Sequence, residues 1–188
     1  MDIIFVRHGS TEENRKKVYG SSDIHLSEKG KTEVLNIKNS VNNMSFGKVY
    51  ISPLKRTMET SKILGVKGIH DDRIKEINFS IFGGKTYEEI KKIYPEEVSL
   101  WTKDYINYRI PGGESLKDIY ERTKDFLENI ISENKNVLVI THEGVIRCAL
   151  CWVFDNVEYF YRFRADNGSI TVISADDGYK YIKCINKR

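Results

Sequence analysis

The chain has 188 residues, 40% of them hydrophobic, which is enough for one domain with a complete core. The formal net charge is only +3 and no dense Lys/Arg block occurs, which argues against nucleic acid and a membrane surface as partners. The apolar runs are too short to span a bilayer and the N-terminus lacks a signal-peptide pattern, so the sequence predicts a cytoplasmic protein.

The three cysteines are Cys148, Cys151 and Cys184, and this low, odd number fits a reducing compartment better than a disulfide scaffold. Cys148 and Cys151 have the C-x-x-C spacing of redox pairs. Their neighbours, however, indicate the middle of a buried helix. We interpret both as structural residues, since a buried free cysteine usually behaves as a small hydrophobe.

In chain order, the first predicted element is a buried strand over residues 3–6. This apolar run ends abruptly in Arg7-His8-Gly9, and an apolar run bounded by a turn signal is typical of a fully buried strand. Ser27 is interpreted as the N-cap of an amphipathic helix. A second strand over 49–51 leads into Ser52-Pro53, interpreted as a cap and a proline at the first helical position.

The middle of the chain is predicted to be helical after an irregular stretch over residues 66–85. Thr86 begins a capping box for one helix, which Pro95 interrupts. The helical piece that follows carries three aromatic residues, Trp101, Tyr105 and Tyr108. Ser115 then begins a clearly amphipathic helix.

A third buried strand is predicted over residues 137–140, and it ends at Thr141-His142. A helix from about Val145 to Phe154 follows. The tail is predicted as three further strands, over 159–164, 169–174 and 179–185.

Strands that alternate with helices predict an α/β fold. We expect a three-layer α/β/α sandwich with a mainly parallel central sheet and an antiparallel C-terminal strand or hairpin. Because no repeat or linker interrupts the chain, we expect a single domain over residues 1–188, with a helical cap segment at about 77–112.

Basic and imidazole side chains follow the carboxyl ends of the three predicted strands. The first strand delivers Arg7 and His8, the second leads to Arg56, and the third delivers His142. Ligands of open α/β sheets bind at this edge, and arginine matches phosphate bidentately. The sequence therefore predicts a site for a tetrahedral oxyanion. A metal site is the alternative for two histidines, but no cluster has ligand spacing and the arginines would repel a divalent cation.

Five segments in this order resemble motifs of the histidine phosphatase superfamily, in its phosphoglycerate-mutase-like branch. They are Arg7-His8-Gly9 with Thr11 and Asn14, residues 52–60, Glu76, residues 111–115 and residues 141–147. The resemblance spans residues 2 to about 150 and is specific as a set. It implies a phosphoglycerate-mutase-like fold, so that the single domain would be a histidine phosphatase domain.

The resemblance also implies the roles of the site residues. His8 would be the nucleophile and become phosphohistidine. Glu76 would be the general acid and then the base that activates water. The phosphoryl oxygens would be held by Arg7, Arg56 and His142, with Asn14 as a further contact. No metal or other cofactor is implied, because the arginines stabilise the transferring group.

Four positions depart from the family pattern. Ser10 follows Gly9 where an acidic or amide residue is common, and Ser80 and Gly83 replace a glycine and a glutamate of the loop after Glu76. Glu143 follows the second histidine, where a small residue is common, so it would border the substrate. We expect its carboxylate to point away from the pocket while its backbone N–H faces the site.

The function expected from these features is hydrolysis of a small phosphorylated metabolite through a phosphohistidine. The short chain and its Pro-Gly-Gly-Glu-Ser segment are similar to alpha-ribazole phosphatases of cobalamin biosynthesis, which makes alpha-ribazole phosphate one candidate substrate. The alternatives are a 2,3-bisphosphoglycerate-dependent phosphoglycerate mutase and a non-catalytic phospholigand-binding protein on the same fold. The oligomeric state is expected to be a monomer or a homodimer.

Overall fold

A computed structural model describes residues 1–16, 18–20 and 24–188. Within these residues, six strands form one sheet in the order β3-β2-β4-β1-β5-β6. Their bounds are β1 Asp2–Arg7, β2 Lys48–Ile51, β3 Ile69–His70, β4 Val137–Thr141, β5 Ile170–Asp176 and β6 Tyr179–Lys187.

The centre of the sheet is parallel. Strand β4 lies between β1 and β2 and pairs in parallel with both, so that Arg7 is the partner of Thr141 and the three strands end at the same edge. The pairs β1·β5 and β5·β6 are antiparallel. The predicted parallel sheet with an antiparallel C-terminal hairpin is confirmed.

Helices cover both faces of the sheet. Their bounds are α1 Glu12–Lys16, α2 Glu28–Asn42, α3 Lys55–Leu64, α4 Tyr87–Ile93, α5 Pro95–Lys103, α6 Leu116–Ile131 and α7 Glu143–Val153. Alternate residues of β1 face opposite sides: Phe5 packs with α6 and α7, whereas Val6 packs with α2 and α3. Both faces are buried, which explains why the central strands are continuous apolar runs.

A third, smaller apolar cluster lies outside these two layers. It joins α4, α5 and the short 3-10 helix Ser80–Phe82 through four buried side chains, Phe82, Ile90, Val98 and Ile110. This segment falls inside the range predicted for a cap. Across the described residues, none of the helices is both long and apolar enough to cross a membrane.

Three local predictions were wrong. Helix α3 begins at Lys55 with Leu54 as its N-cap, because the hydroxyl of Ser52 bonds to His142 instead of capping the helix. The predicted strand over 159–164 is a 3-10 helix, Val157–Arg162, which begins where the Asn156 side chain accepts a hydrogen bond from the Glu158 N–H.

The third error concerns the aromatic residues after α5. Tyr105 and Tyr108 lie beyond the helix, because the Asp104 carboxylate accepts a hydrogen bond from the Asn107 N–H at 3.0 Å and forms a turn. The structural interpretation of Cys148 and Cys151 is supported, since both are buried in α7. Burial raises the pKa of the Cys151 thiol to about 12.

Candidate active site

His8 follows β1 in a loop that is pressed against the first turn of α2. A Cβ atom on Gly9 would lie 2.2 Å from the carbonyl oxygen of Gly30, so both backbones approach more closely than any side chain would allow. The N–H and hydroxyl of Ser27 both donate to the carbonyl oxygen of Ser10, at 2.9 and 3.0 Å. The loop is therefore fixed by the helix that follows it.

The hydrogen bonds of the His8 ring identify its tautomer. Nδ1 lies 2.7 Å from the carbonyl oxygen of Gly9, which can only accept, so Nδ1 carries the proton. Nε2 is then unprotonated, and its lone pair accepts a hydrogen bond from the Arg56 Nε–H at 3.3 Å. The unprotonated nitrogen of His8 thus lies beside a guanidinium group.

The surroundings of His8 keep its ring neutral. The side chain is 2% exposed, and burial, together with the charges of Arg56 and Arg7, holds the pKa of His8 well below its usual range. The hydrogen bond to Gly9 acts in the opposite direction, but the first three effects are larger.

His142 lies at the end of β4, and its ring centroid is 5.1 Å from that of His8. Its Nε2 atom is 2.7 Å from the Ser52 hydroxyl, whereas Nδ1 is buried without a hydrogen-bond partner among the described residues. Burial, then Arg56, lower the pKa of His142 as well. If Ser52 donates to Nε2, the proton lies on Nδ1, which leaves this buried donor for a ligand.

Arg7 is held between two acceptors. Its guanidinium donates to the carbonyl oxygen of Ala165 and forms an ion pair with Glu143 at 2.9 Å. Burial lowers the pKa of Arg7, and the charge of Glu143 partly offsets this shift. The Nε atom of Arg7 is buried without a partner in the described part of the chain.

The expected orientation of Glu143 was wrong. Its carboxylate does not point away: one oxygen pairs with Arg7, and the other lies 2.5 Å from a guanidinium nitrogen of Arg147, one turn further along α7. Two cations at the same edge hold the carboxylate beside the cavity, an effect that the motif alone does not reveal. Arg147 also lies over the Phe160 ring, with 5.3 Å between its Cζ atom and the ring centroid.

Glu76 approaches the site from the loop after β3. Its Oε1 atom accepts hydrogen bonds from the N–H groups of Ile77 and Gly144, both at 3.1 Å. The Gly144 N–H belongs to the first turn of α7, where unpaired donors favour a carboxylate.

Arg122 of α6 fixes the backbone that carries Glu76. It donates to the carbonyl oxygens of Arg73 and Lys75 at 2.7 Å and to that of Glu76 at 3.2 Å. Glu114, in the segment over 111–115, pairs with Arg122 at 2.7 Å. The sequence interpretation did not single out Arg122, because its partners at residues 73–76 are at least 46 positions away in the chain.

Arg7, His8, Arg56, Glu76 and Glu143 border a cavity of about 250 Å³. Asn14 also lines the cavity, and its side-chain oxygen Oδ1 accepts hydrogen bonds from the N–H and hydroxyl of Thr11, both at 3.0 Å. The outer wall is largely apolar and aromatic, and it includes Tyr19, Ile24, Ile77, Phe79, Trp101, Phe160 and Tyr161. Six of the seven predicted site residues therefore line one cavity, while His142 lies buried behind His8.

The histidine phosphatase superfamily (branch 1) model matches residues 3–188. The chain belongs to this superfamily. The resemblance drawn from the motifs is thus confirmed, and so is the prediction of an enzyme of the histidine phosphatase type. Among the residues that the structure describes, no group of three His, Cys, Asp or Glu side chains is placed to hold a metal ion.

Two proteins of known name are similar in sequence to this chain. Phosphoserine phosphatase 1 of Hydrogenobacter thermophilus is 32% identical over 192 residues, covering 98% of this chain and 91% of that protein. The 6-phosphofructo-2-kinase/fructose-2,6-bisphosphatase 1 of Mus musculus is 38% identical over 158 residues, covering 81% of this chain. The match covers only 32% of that longer protein.

Solved structures confirm the predicted fold. The alpha-ribazole phosphatase of Shigella flexneri superposes with a TM-score of 0.92 at 20% identity, covering 100% of this chain and 96% of the other. A phosphoserine phosphatase mutant of Entamoeba histolytica has a TM-score of 0.84 at 24% identity, covering 98% and 96%. At these identities the likeness shows the shared fold alone.

Proposed function

We propose that this chain hydrolyses a small phosphorylated metabolite through a phosphohistidine formed on His8. The observation that carries the proposal is the state of the His8 ring. Its Nδ1 atom donates to the Gly9 carbonyl, its Nε2 atom is unprotonated and accepts from the Arg56 Nε–H at 3.3 Å, and its low pKa keeps the ring neutral. A neutral imidazole beside guanidinium groups suits attack on a phosphorus atom that carries negative charge.

The first step forms a bond from Nε2 to phosphorus and breaks the bond from phosphorus to the ester oxygen. We propose that Arg7, Arg56 and His142 stabilise the phosphoryl oxygens, with the unpartnered Nδ1 of His142 and Nε of Arg7 as donors. The Oδ1 atom of Asn14 accepts from Thr11, which directs its side-chain amide nitrogen, the donor, for contact with a phosphoryl oxygen.

We assign the proton transfers to Glu76. It would donate a proton to the leaving oxygen and then accept one from the water that attacks phosphorus and releases His8. Its position in the cavity supports this role, and the two backbone N–H groups hold the carboxyl group in place. General acid–base help of this kind contributes roughly 10²–10⁴-fold to a rate.

Glu143 and the incoming phosphoryl group would both bind the Arg7 guanidinium. We propose that substrate binding draws Arg7 away from the carboxylate, which keeps its partner Arg147. Glu143 would then border the part of the substrate that leaves, so that its charge influences substrate choice. A carboxylate held by a second cation repels the substrate less than an unpaired one.

We propose a substrate whose leaving group contacts apolar side chains of the cavity. The apolar outer wall, with Phe79 and Trp101 from the proposed cap segment at 77–112, would contact the leaving group. The first candidates are phosphoserine, which the name of a 32% identical relative suggests, and alpha-ribazole phosphate, which the motifs suggest.

The test is phosphate release from a panel of monoesters, with chelator present, for wild type, His8→Ala and His70→Ala. The panel holds phosphoserine, alpha-ribazole phosphate, 3-phosphoglycerate and an aryl phosphate. His70 is exposed on the edge strand β3 and serves as the matched control. We expect chelator-resistant release that only His8→Ala abolishes. Isomerisation of 3-phosphoglycerate without phosphate release would indicate the phosphoglycerate mutase. Binding of an ester without turnover would indicate the non-catalytic phospholigand-binding protein.

A further inference from the structure

A single peptide unit connects His8 to a carboxylate on α2. The carbonyl of Gly9 accepts from His8 Nδ1 at 2.7 Å, and the N–H of Ser10 donates to Glu33 Oε2 at 2.8 Å. These two groups are the two ends of the same peptide bond, which is planar. The direction in which the carbonyl points is therefore fixed by whatever holds the N–H.

Glu33 is well placed to hold that N–H. Its second oxygen accepts from the Ser10 hydroxyl at 2.9 Å, so the carboxylate binds Ser10 at two points. The side chain is only 19% exposed, and its charged neighbour is Lys29, at 3.8 Å on the same helix. Gly168 packs against it, since a Cβ there would lie 2.6 Å from the Glu33 Cβ.

We propose that Glu33 is a positioning residue for the nucleophile and acts through the Gly9–Ser10 peptide. Its carboxylate holds the Ser10 N–H, and the planar peptide then aims the Gly9 carbonyl at Nδ1. This fixes the tautomer that leaves Nε2 unprotonated. The negative charge of Glu33, bonded to the Ser10 N–H, also polarises the Gly9 carbonyl and strengthens the hydrogen bond of this carbonyl to the imidazole. The inference rests on the proposed role of His8 as nucleophile.

The arrangement resembles a carboxylate–histidine pair with a peptide inserted between the two groups. In such pairs the carboxylate sets the tautomer and orientation of the imidazole. Ser10 provides a short hydroxyl in place of the longer acidic or amide side chain common there in the family. A short side chain lets the Glu33 carboxylate reach both the hydroxyl and the N–H.

The variants separate orientation from packing. Glu33→Ala removes both contacts. Glu33→Gln keeps an oxygen that accepts from the Ser10 N–H, and Ser10→Ala removes only the hydroxyl bond. Glu28→Ala is the matched control, since Glu28 lies on the same helix and pairs only with Lys31 among the residues described.

Three measurements are made on each variant of the whole chain. The ¹⁵N shifts of the His8 ring nitrogens report the tautomer directly and do not depend on activity. Rapid-quench labelling with an aryl phosphate gives the rate of phosphoenzyme formation, and the affinity for inorganic phosphate gives ground-state binding.

For Glu33→Ala we expect His8 to become a mixture of tautomers. Phosphoenzyme formation should slow by roughly 10- to 100-fold, the range found when a metal-bound histidine loses the partner that orients it, with phosphate affinity unchanged. Glu33→Gln and Ser10→Ala should keep the Nδ1–H tautomer and most of the rate, and Glu28→Ala should match wild type.

An unchanged tautomer in folded Glu33→Ala overturns the inference, and so does an equal loss of phosphate affinity and rate. A Glu33→Gln variant as slow as Glu33→Ala also overturns it, because orientation would then not be what is lost. Activity that survives in His8→Ala would refute the proposed nucleophile instead, while the tautomer shifts would still test the contact of Glu33 with the loop.

Discussion

At the scale of single residues, the two buried imidazoles are the main feature of the site. His8 and His142 are 2% and 0% exposed, and burial lowers the pKa of each before the arginines lower it further. An imidazole in the unfolded chain has a pKa near 6.5. Protonation therefore favours the unfolded state, which binds more protons than the native one.

Stability is expected to fall as the pH decreases through about 6.5. Above this pH both histidines are neutral in both states, so their contribution to stability is fully present. Below this pH, the two histidines bind protons in the unfolded chain but not in the native state. The free energy of unfolding therefore falls by up to about 1.4 kcal/mol per pH unit for each histidine. Urea unfolding at pH 7.0, 6.0 and 5.0 measures the slope.

The control is the double variant His8→Gln, His142→Gln, which should show a flatter slope over the same range. Aspartates with lowered pKa, such as Asp71 and Asp118, act below their ordinary value of 3.8, and the glutamates contribute equally to both proteins. A slope equal to that of wild type would contradict the buried, neutral state of the two rings.

The residue types of the site could be predicted from the sequence, but their partners could not. Arg7, His8, Arg56, Glu76 and His142 stand in recognisable motifs, and the structure places them together. The bond from Ser52 to His142 crosses 90 residues, and the support of Arg122 for the Glu76 backbone crosses 46. Contacts at such separations leave no periodic signal in a single sequence.

At the scale of elements, the first turn of α7 and the loop that carries Glu76 fit together without space for a side chain. A Cβ on Gly144 would lie 2.3 Å from Glu76 Oε1 and 3.1 Å from Ile119 Cδ1. Glycine inside a helix costs about 1 kcal/mol relative to alanine. Its presence here is explained by the close approach of the carboxylate.

Gly144→Ala is therefore expected to displace Glu76 while the helix propensity at this position improves. Turnover of an alkyl phosphate, whose leaving oxygen needs a proton, should fall by at least about 10-fold, a part of the usual contribution of a general acid. An aryl phosphate with a good leaving group should lose less. Steady-state kinetics with the two esters measure the difference.

Gly47→Ala is the matched control, because a Cβ there meets only the Lys135 side chain at 3.6 Å. Equal losses for both esters in Gly144→Ala would mean that Glu76 is not the acid, or that the whole pocket has shifted.

Elements with strong local signals were predicted well. The buried strands and the capping box of α6 follow from apolar runs and from Ser115, whose hydroxyl accepts from the Asp118 N–H at 3.1 Å. Two of the errors have different causes. A tertiary contact takes Ser52, whose hydroxyl bonds to His142 instead of capping α3, and the Asn156 side chain caps a 3-10 helix where a strand was predicted.

At the scale of the whole molecule, the two tryptophans report on different regions. Trp101 belongs to the small cluster of α4 and α5 and packs on Tyr19 and Phe82, with 5.5 Å between ring centroids in each pair. Trp152 lies in the main core beneath the sheet. A single domain requires both regions to unfold together.

We expect one cooperative transition for residues 1–188. In Trp101→Phe, the remaining tryptophan fluorescence comes from Trp152 in the core, and in Trp152→Phe it comes from Trp101 in the proposed cap. For each variant, the urea midpoint measured by fluorescence should equal the midpoint measured by circular dichroism. An earlier midpoint for Trp101 fluorescence would show that the segment at 77–112 unfolds as a separate unit.

The position of β1 in the sheet has a consequence for the order in which the protein is assembled during synthesis. Strand β1 emerges from the ribosome first, yet its two neighbours are β4 and β5, more than 130 residues later. Pairings so distant in sequence form slowly, and here they wait for translation. The segment that delivers Arg7 and His8 is therefore synthesised before β4 and β5 but organised only after them, so a growing chain has no working nucleophile until β5 has been made.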